Sequence, residues 1–158
     1  MFENKKIFIL GFARSGYEAA KFLIKRGNEV LINDGKKEDE LNQDKINELK
    51  GMGVKFFFGS HPDDLLDKSY DYLIKNPGVS IHHKYVQRAE ELGIEVINEV
   101  EMAYRLLPKS VTLVAITGTN GKTTTTTLTY EVIKASGIKC HLAGNIGYPL
   151  CSFLDKLE

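Results

Sequence analysis

Residues 111–124, VTLVAITGTNGKTT, carry a hydrophobic run straight into Gly118, Thr119, Asn120, Gly121, Lys122, Thr123 and Thr124. That order suits the polyphosphate of ATP. Backbone N–H groups of a Gly-rich turn converge on phosphate oxygens, and the start of the following helix adds positive potential. The lysine reaches the β and γ phosphates, and the adjoining hydroxyl, here Thr123, can ligate Mg²⁺. The loop departs from the usual G-x-x-x-x-G-K-[ST] form, because Ile116 stands six positions before Lys122 and the first glycine is Gly118. An ordinary turn with an incidental lysine is the plainer alternative. Against it stands the threonine run 123–127, whose β-branched residues are poor helix formers placed where a helix should begin. A local rule broken beside a phosphate loop points to function. Only Thr123 and Thr124 need touch nucleotide; the later threonines are expected to pack, their hydroxyls bonded back to the preceding turn.

A second loop, Gly11-Phe12-Ala13-Arg14-Ser15-Gly16, follows the first apolar run. Its spacing is that of G-x-G-x-x-G with Ala13 at the middle glycine, where a dinucleotide pyrophosphate needs the closest backbone approach, so a methyl there counts against NAD or FAD. Asp34, in Asn33-Asp34-Gly35, lies where an acidic side chain can accept from a ribose or base. Asn76-Pro77-Gly78 and Gly144-Asn145-Ile146-Gly147 also follow predicted strands, at the edge where open α/β sheets bind ligands. Each of these three could equally be a plain surface turn.

The elements that must position these loops show as alternation. Apolar runs at 7–10, 30–32, 54–58, 72–74, 94–97 and 111–116 predict buried strands. Helical spacing predicts helices over 15–25, 38–50, 84–92, 99–107 and 122–135, and a short strand over 139–142. Strands alternating with helices make a parallel, doubly wound α/β sheet, since parallel neighbours need a crossover. The pattern restarts after Pro108, which predicts a Rossmann-like domain over 1–98, a linker over 99–110 and the start of a P-loop α/β ATP-binding domain over 111–158. The 48 residues after Ser110 are too few to close such a domain, so the chain reads as truncated, with exposed strand edges and a tendency to self-associate.

With 158 residues and 42% hydrophobic content the chain can bury a core. Its 21 basic and 21 acidic residues leave no field for nucleic acid. No apolar run is long enough for a membrane span, and the N-terminus runs directly into a strand pattern rather than a signal peptide, which predicts a cytoplasmic protein. Cys140 and Cys151 form no metal or disulfide pattern, and His61, His82, His83 and His141 lack metal-ligand spacing.

Together, ITGTNGKTTT at 116–125 and AGNIG at 143–147 resemble the Mur ligases, ATP-dependent amide-forming enzymes of bacterial cell-wall synthesis. GFARSG, NDG, KNPG and NEVEMA look like the members that add D-glutamate to UDP-N-acetylmuramoyl-L-alanine. The resemblance covers the whole chain. It implies a UDP-sugar-binding domain followed by part of an ATP-binding domain, in an enzyme that is monomeric at full length. It also implies a reaction in which ATP phosphorylates the L-alanine carboxylate, the D-glutamate amine attacks the acyl phosphate, and phosphate leaves. In that scheme Lys122 and Mg²⁺ on Thr123 neutralise charge at the transferring phosphoryl group. Arg14 and Ser15 contact the UDP-sugar diphosphate, Asp34 and Gly35 face uracil, Asn76 and Gly78 line the same pocket, and Asn145 holds diphosphate. The family's remaining metal and amino-acid sites have no counterpart among these residues, so ligation by this chain alone is not expected. Relatives that add L-alanine usually carry His where Asn120 stands. An NAD(P)-binding oxidoreductase domain and a non-catalytic nucleotide-binding module remain as alternatives from other classes.

Overall fold

The computed structural model describes residues 1–157; Glu158, the predicted end of the second unit, lies outside the described residues. Five strands, β1 (Lys6–Leu10), β2 (Glu29–Asp34), β3 (Lys55–Phe58), β4 (Tyr72–Lys75) and β5 (Glu95–Asn98), form one parallel sheet in the order β3-β2-β1-β4-β5. The register sets Ile9 beside Ile32 on one side and Ile74 on the other, with Ile97 beside Ile74, so a row of isoleucines crosses four strands. Alternation along β1 divides the core. Ile7 and Ile9 face a layer of α1 (Arg14–Ile24), α2 (Gln43–Gly51) and α4 (Glu99–Arg105), whereas Phe8 and Leu10 face α3 (Lys84–Leu92). Burial on both faces is why the strands read as unbroken apolar runs.

The helices follow their local signals. Asn42 accepts from Lys45 N and caps α2, which breaks the helix predicted over 38–50 into a 3-10 turn, Glu38–Glu40, and α2. His83 and Asn98 cap α3 and α4 in the same way. Ala19 and Ala20 of α1 are fully buried, and their small side chains let the helix lie close on the sheet. Glu99–Arg105 does not run free: Met102 and Ala103 sit in the core beside Leu150, Cys151 and Leu154 of a 3-10 helix, Leu150–Lys156, that returns to pack on α1 and α4.

Two predicted strands are absent. Residues 111–116 join no ladder, and Leu113 and Val114 are exposed; residues 139–142 also stay outside any strand, leaving one isolated bridge, Ala143 to Tyr148. An apolar run becomes a strand only where a neighbour takes its N–H and C=O groups, and neither segment pairs with the outer edge of β3 or β5. Helix α5 (Lys122–Ala135) forms as predicted despite its threonines, yet it buries no residue. Thr126 Oγ1 donates to Lys122 O at 2.7 Å, the predicted back-bond, while Thr125 and Thr127 are exposed rather than packed.

Asn28, 3% exposed, ties the N-terminus to the α1–β2 turn: Oδ1 accepts from Lys5 N, and Nδ2 donates to Phe2 O and Leu23 O. Replacing Asn28 by Ala orphans these buried groups and should cost about 2–3 kcal/mol, read as a lowered urea midpoint with an unchanged slope.

Candidate functional site

The order of the sheet reverses direction between β1 and β4, so the chains leaving those two strands part and open a crevice at their carboxyl ends. Asn76, the residue after β4, spans it. Its N–H donates to Leu10 O at 3.0 Å and its Nδ2 to Gly11 O at 2.6 Å, while Gly11 N donates across to Asn33 O at 2.8 Å. Asn76 Oδ1 is the one buried side-chain polar atom without a protein partner among the described residues. Gly11 takes φ +100°, and Gly16 packs so tightly that a Cβ there would meet Gly11 O at 2.3 Å. The start of α1 is thereby pressed against the end of β1. Ala13 caps α1 without a side-chain hydrogen bond, and no acidic residue stands in the first turn, so the N–H groups and positive end of the helix are open to an anion beside Arg14 and Ser15.

Asp34 braces the same loop. Its Oδ2 accepts from Phe12 N at 2.7 Å and its Oδ1 from Lys36 N at 2.9 Å, so it shapes the edge while keeping lone pairs for a ligand. Gly35 is exposed, and a Cβ there would touch His61 Nε2 at 3.0 Å. Gly78 is exposed with open space around it, so Asn76 carries the structural role of that turn. Arg14 Nη2 donates to Asn145 O at 3.3 Å, which brings together two residues 131 positions apart.

The phosphate loop is a separate, locally built structure. Gly121 caps α5 in the left-handed conformation, φ +75°, which re-aims the chain so that the first-turn N–H groups of Lys122, Thr123 and Thr124 point outward. Lys122 Nζ donates to Gly118 O at 2.5 Å and to Thr119 O at 3.1 Å, folding its charge over the loop. Asn120 and Thr124 are exposed with it. Among the described residues no hydrogen bond or ion pair joins this loop to Arg14, Asp34 or Asn76.

Residues 5–98 match the sequence profile of the Mur ligase MurD-like N-terminal domain. The chain belongs to the Mur ligase family. This Mur ligase chain is 48% identical over 156 residues to the UDP-N-acetylmuramoylalanine–D-glutamate ligase of Enterococcus hirae, covering 98% of the chain and 33% of that protein. It is 49% identical over 157 residues to the ligase of the same name from Streptococcus agalactiae serotype III, covering 99% of the chain and 34% of that protein. The chain thus spans about a third of the length of these curated relatives. Among solved structures, the UDP-N-acetylmuramate-alanine ligase MurC of Thermotoga maritima aligns with TM-score 0.53 and 25% identity over 84% of the chain and 30% of its own. The murein peptide ligase of Psychrobacter arcticus, with TM-score 0.58 and 20% identity over 89% of the chain and 28% of its own, shares the fold.

Sequence reasoning passed over the polar residues that frame the Mur ligase edge from behind. Asn33, fully buried, donates through Nδ2 to Phe57 O and Ser60 O, so its Oδ1 accepts from His61 Nδ1. An asparagine closing an apolar strand was the available signal. His61 packs edge-on against His83 and Tyr85. Burial, then Lys84, holds the His61 imidazole below its ordinary pKa against the pull of Asp34; burial, His61 and Lys84 do the same for His83. Burial pushes the Tyr85 hydroxyl up to about 12, and that hydroxyl donates to Pro62 O.

Two outcomes follow from this geometry. Gly16→Ala drives a methyl into the Gly11 carbonyl and should destabilise the chain by about 1–3 kcal/mol, seen as a lower urea midpoint. The histidines set a pH dependence. Because their folded pKa values lie below the unfolded value of about 6.5, the unfolded chain binds more protons below that pH, and stability falls as pH drops through this window. The urea midpoint should decline from about pH 7.5 to about pH 5.5, and less steeply in His61→Gln.

Proposed function

We propose that this chain is the UDP-sugar-binding and ATP-loop-bearing portion of an ATP-dependent ligase that joins D-glutamate to UDP-N-acetylmuramoyl-L-alanine through an acyl phosphate, in peptidoglycan precursor synthesis. The observation that carries the reading is identity of 48–49% to ligases of that name along nearly the whole chain, across both loops. In this reading residues 1–98 bind the UDP-sugar, 99–110 connect, and 111–158 begin the ATP-binding unit. The enzyme works in the cytoplasm as a monomer.

The open start of α1, with Arg14 and Ser15, suits the diphosphate, whose charge meets unsatisfied N–H groups and a guanidinium. Asp34 and Gly35, exposed or half-exposed at the end of β2, suit the uracil. Asn76 Oδ1, a buried acceptor lacking a protein donor, suits a donor of the same ligand, with Gly78 alongside. Asn145, beside Arg14, closes over the diphosphate.

The loop of Gly118, Thr119, Asn120, Gly121, Lys122, Thr123 and Thr124 suits the phosphates of ATP, since its first-turn N–H groups are uncapped by any side chain and Lys122 is within reach of the loop's own centre. Thr123 offers one hydroxyl and no acidic residue accompanies it in that turn, so Mg²⁺ would be held mainly by the phosphates, whose developing charge it would offset. Lys122 would exchange its two carbonyl partners for phosphate oxygens.

Calorimetric titration tests the reading. UDP-N-acetylmuramoyl-L-alanine should bind and NADH should not. Lys122→Ala should weaken ATP-Mg binding about tenfold or more, the loss of one charge-assisted contact, while leaving the UDP-sugar unaffected. NADH binding with no response to the UDP-sugar would return the first loop to the dinucleotide class.

A further inference from the structure

We propose that Glu99 is a positioning residue for the diphosphate end of the ligand site: by holding the backbone of Cys151, its buried carboxylate sets where residues 144–147 stand over the start of α1. This role rests on the UDP-sugar reading above.

Glu99 opens α4 and is 2% exposed, a burial that a carboxylate tolerates only when its oxygens are hydrogen-bonded. Its Oε1 accepts from Cys151 N at 2.6 Å, and the Cys151 thiol faces the same carboxylate. Leu150, Cys151 and Leu154 lie in the core with Met102 and Ala103, so the anchor is fixed on both sides. From Cys151 the chain runs back through buried Pro149 to a loop closed on itself. Gly144 N donates to Tyr148 O at 2.9 Å, Ala143 bridges to Tyr148, and Gly147 is packed where a Cβ would meet Leu142 O at 2.6 Å. Such a loop moves as a unit with whatever holds its end.

On the far side the one hydrogen bond from residues 144–147 to α1 among the described residues is that of Arg14 to Asn145 O, which is long at 3.3 Å and exposed. The ion pair of Lys25 with Asp155 is longer still at 3.5 Å and also exposed. Contacts of this kind hold little in water. The gap between Asn145 and the helix start is therefore set from the core, where the Glu99 anchor fixes Cys151 while Leu150–Lys156 packs on α1 and α4, and the ligand group that occupies the gap is the diphosphate rather than the base.

The test follows UDP-N-acetylmuramoyl-L-alanine by calorimetry and uridine by ligand-observed NMR, with thermal unfolding of every variant of the chain. Glu99→Leu removes the acceptor and should weaken the UDP-sugar about tenfold while leaving uridine unchanged, and Glu99→Gln, which keeps an acceptor oxygen, should restore affinity to within about twofold of the parent chain. Pro149→Gly loosens the link without touching the anchor and should give the same loss confined to the UDP-sugar, which keeps the test open if the Leu variant does not fold. Equal loss of both ligands, or a folded Leu or Gly variant that binds both as the parent chain does, overturns the role. A parent chain that binds uridine but not the UDP-sugar, or binds neither, removes the functional reading itself and this role with it.

Discussion

The amide of Asn76, reaching from the end of β4 to the carbonyl of Gly11, is the contact on which the ligand-facing edge depends. Parallel strands that part at a switch point leave backbone groups at their ends without ladder partners, and these must be satisfied before the crevice can exist. Asn76 does this twice, through its own N–H to Leu10 and through its side chain to Gly11. Once Gly11 O is fixed, Gly16 can carry no side chain, because the first turn of α1 lies directly on that carbonyl. The position and aim of the helix N-terminus are thus consequences of one amide and one missing methyl. Asp34 completes the frame by taking Phe12 N, so the loop between β1 and α1 is held from both neighbouring strands.

This polar frame is supported by an apolar one. Each isoleucine of the row across β2, β1, β4 and β5 is almost fully buried, and burying such a side chain is worth about 1.5–3 kcal/mol, more than the exposed ion pairs of the surface, at about 0–1 kcal/mol, can supply. Stability therefore resides in the layers above and below the sheet. The edge, with its backbone groups already paired, is free to present N–H groups and a buried acceptor to a ligand without weakening the core. Helix α5 is the contrast: its bounds are those predicted, but it buries no residue, Leu128 and Val132 are exposed, and it adds nothing to the core on either face of the sheet.

The first sheet was legible because both of its faces are covered, so every strand appears as an apolar run, and α2, α3 and α4 each start at a side-chain cap. The same reading fails at residues 111–116, VTLVAI, which are more apolar than β2, EVLIND: hydrophobicity marks a segment that can be a strand, while pairing depends on a neighbour that composition does not reveal. Glu99 was hidden for the opposite reason. In NEVEMA it looks like one more charge on a solvated helix face, and only the return of Leu150–Lys156 onto α4 turns it into a buried anchor. Asn33, read as the first letter of a turn, proves to be a buried junction between β2 and the segment after β3.

The two candidate loops differ in legibility for a physical reason. In the phosphate loop the lysine meets carbonyls three and four positions away, and left-handed glycines shape the turn from within, so a short string of residues specifies the geometry almost alone. At the sheet edge the governing contacts join residues 22, 65 and 131 positions apart. Closing such distances costs chain entropy, which is recovered only when the layers of the sheet have condensed. The edge site is therefore a property of the finished fold, and a motif there, such as GFARSG, constrains the turn without stating what the turn will face. A locally written loop can keep its shape where its surroundings are sparse, as residues 118–124 do, whereas the site at β1 and β4 has no shape apart from the core that builds it.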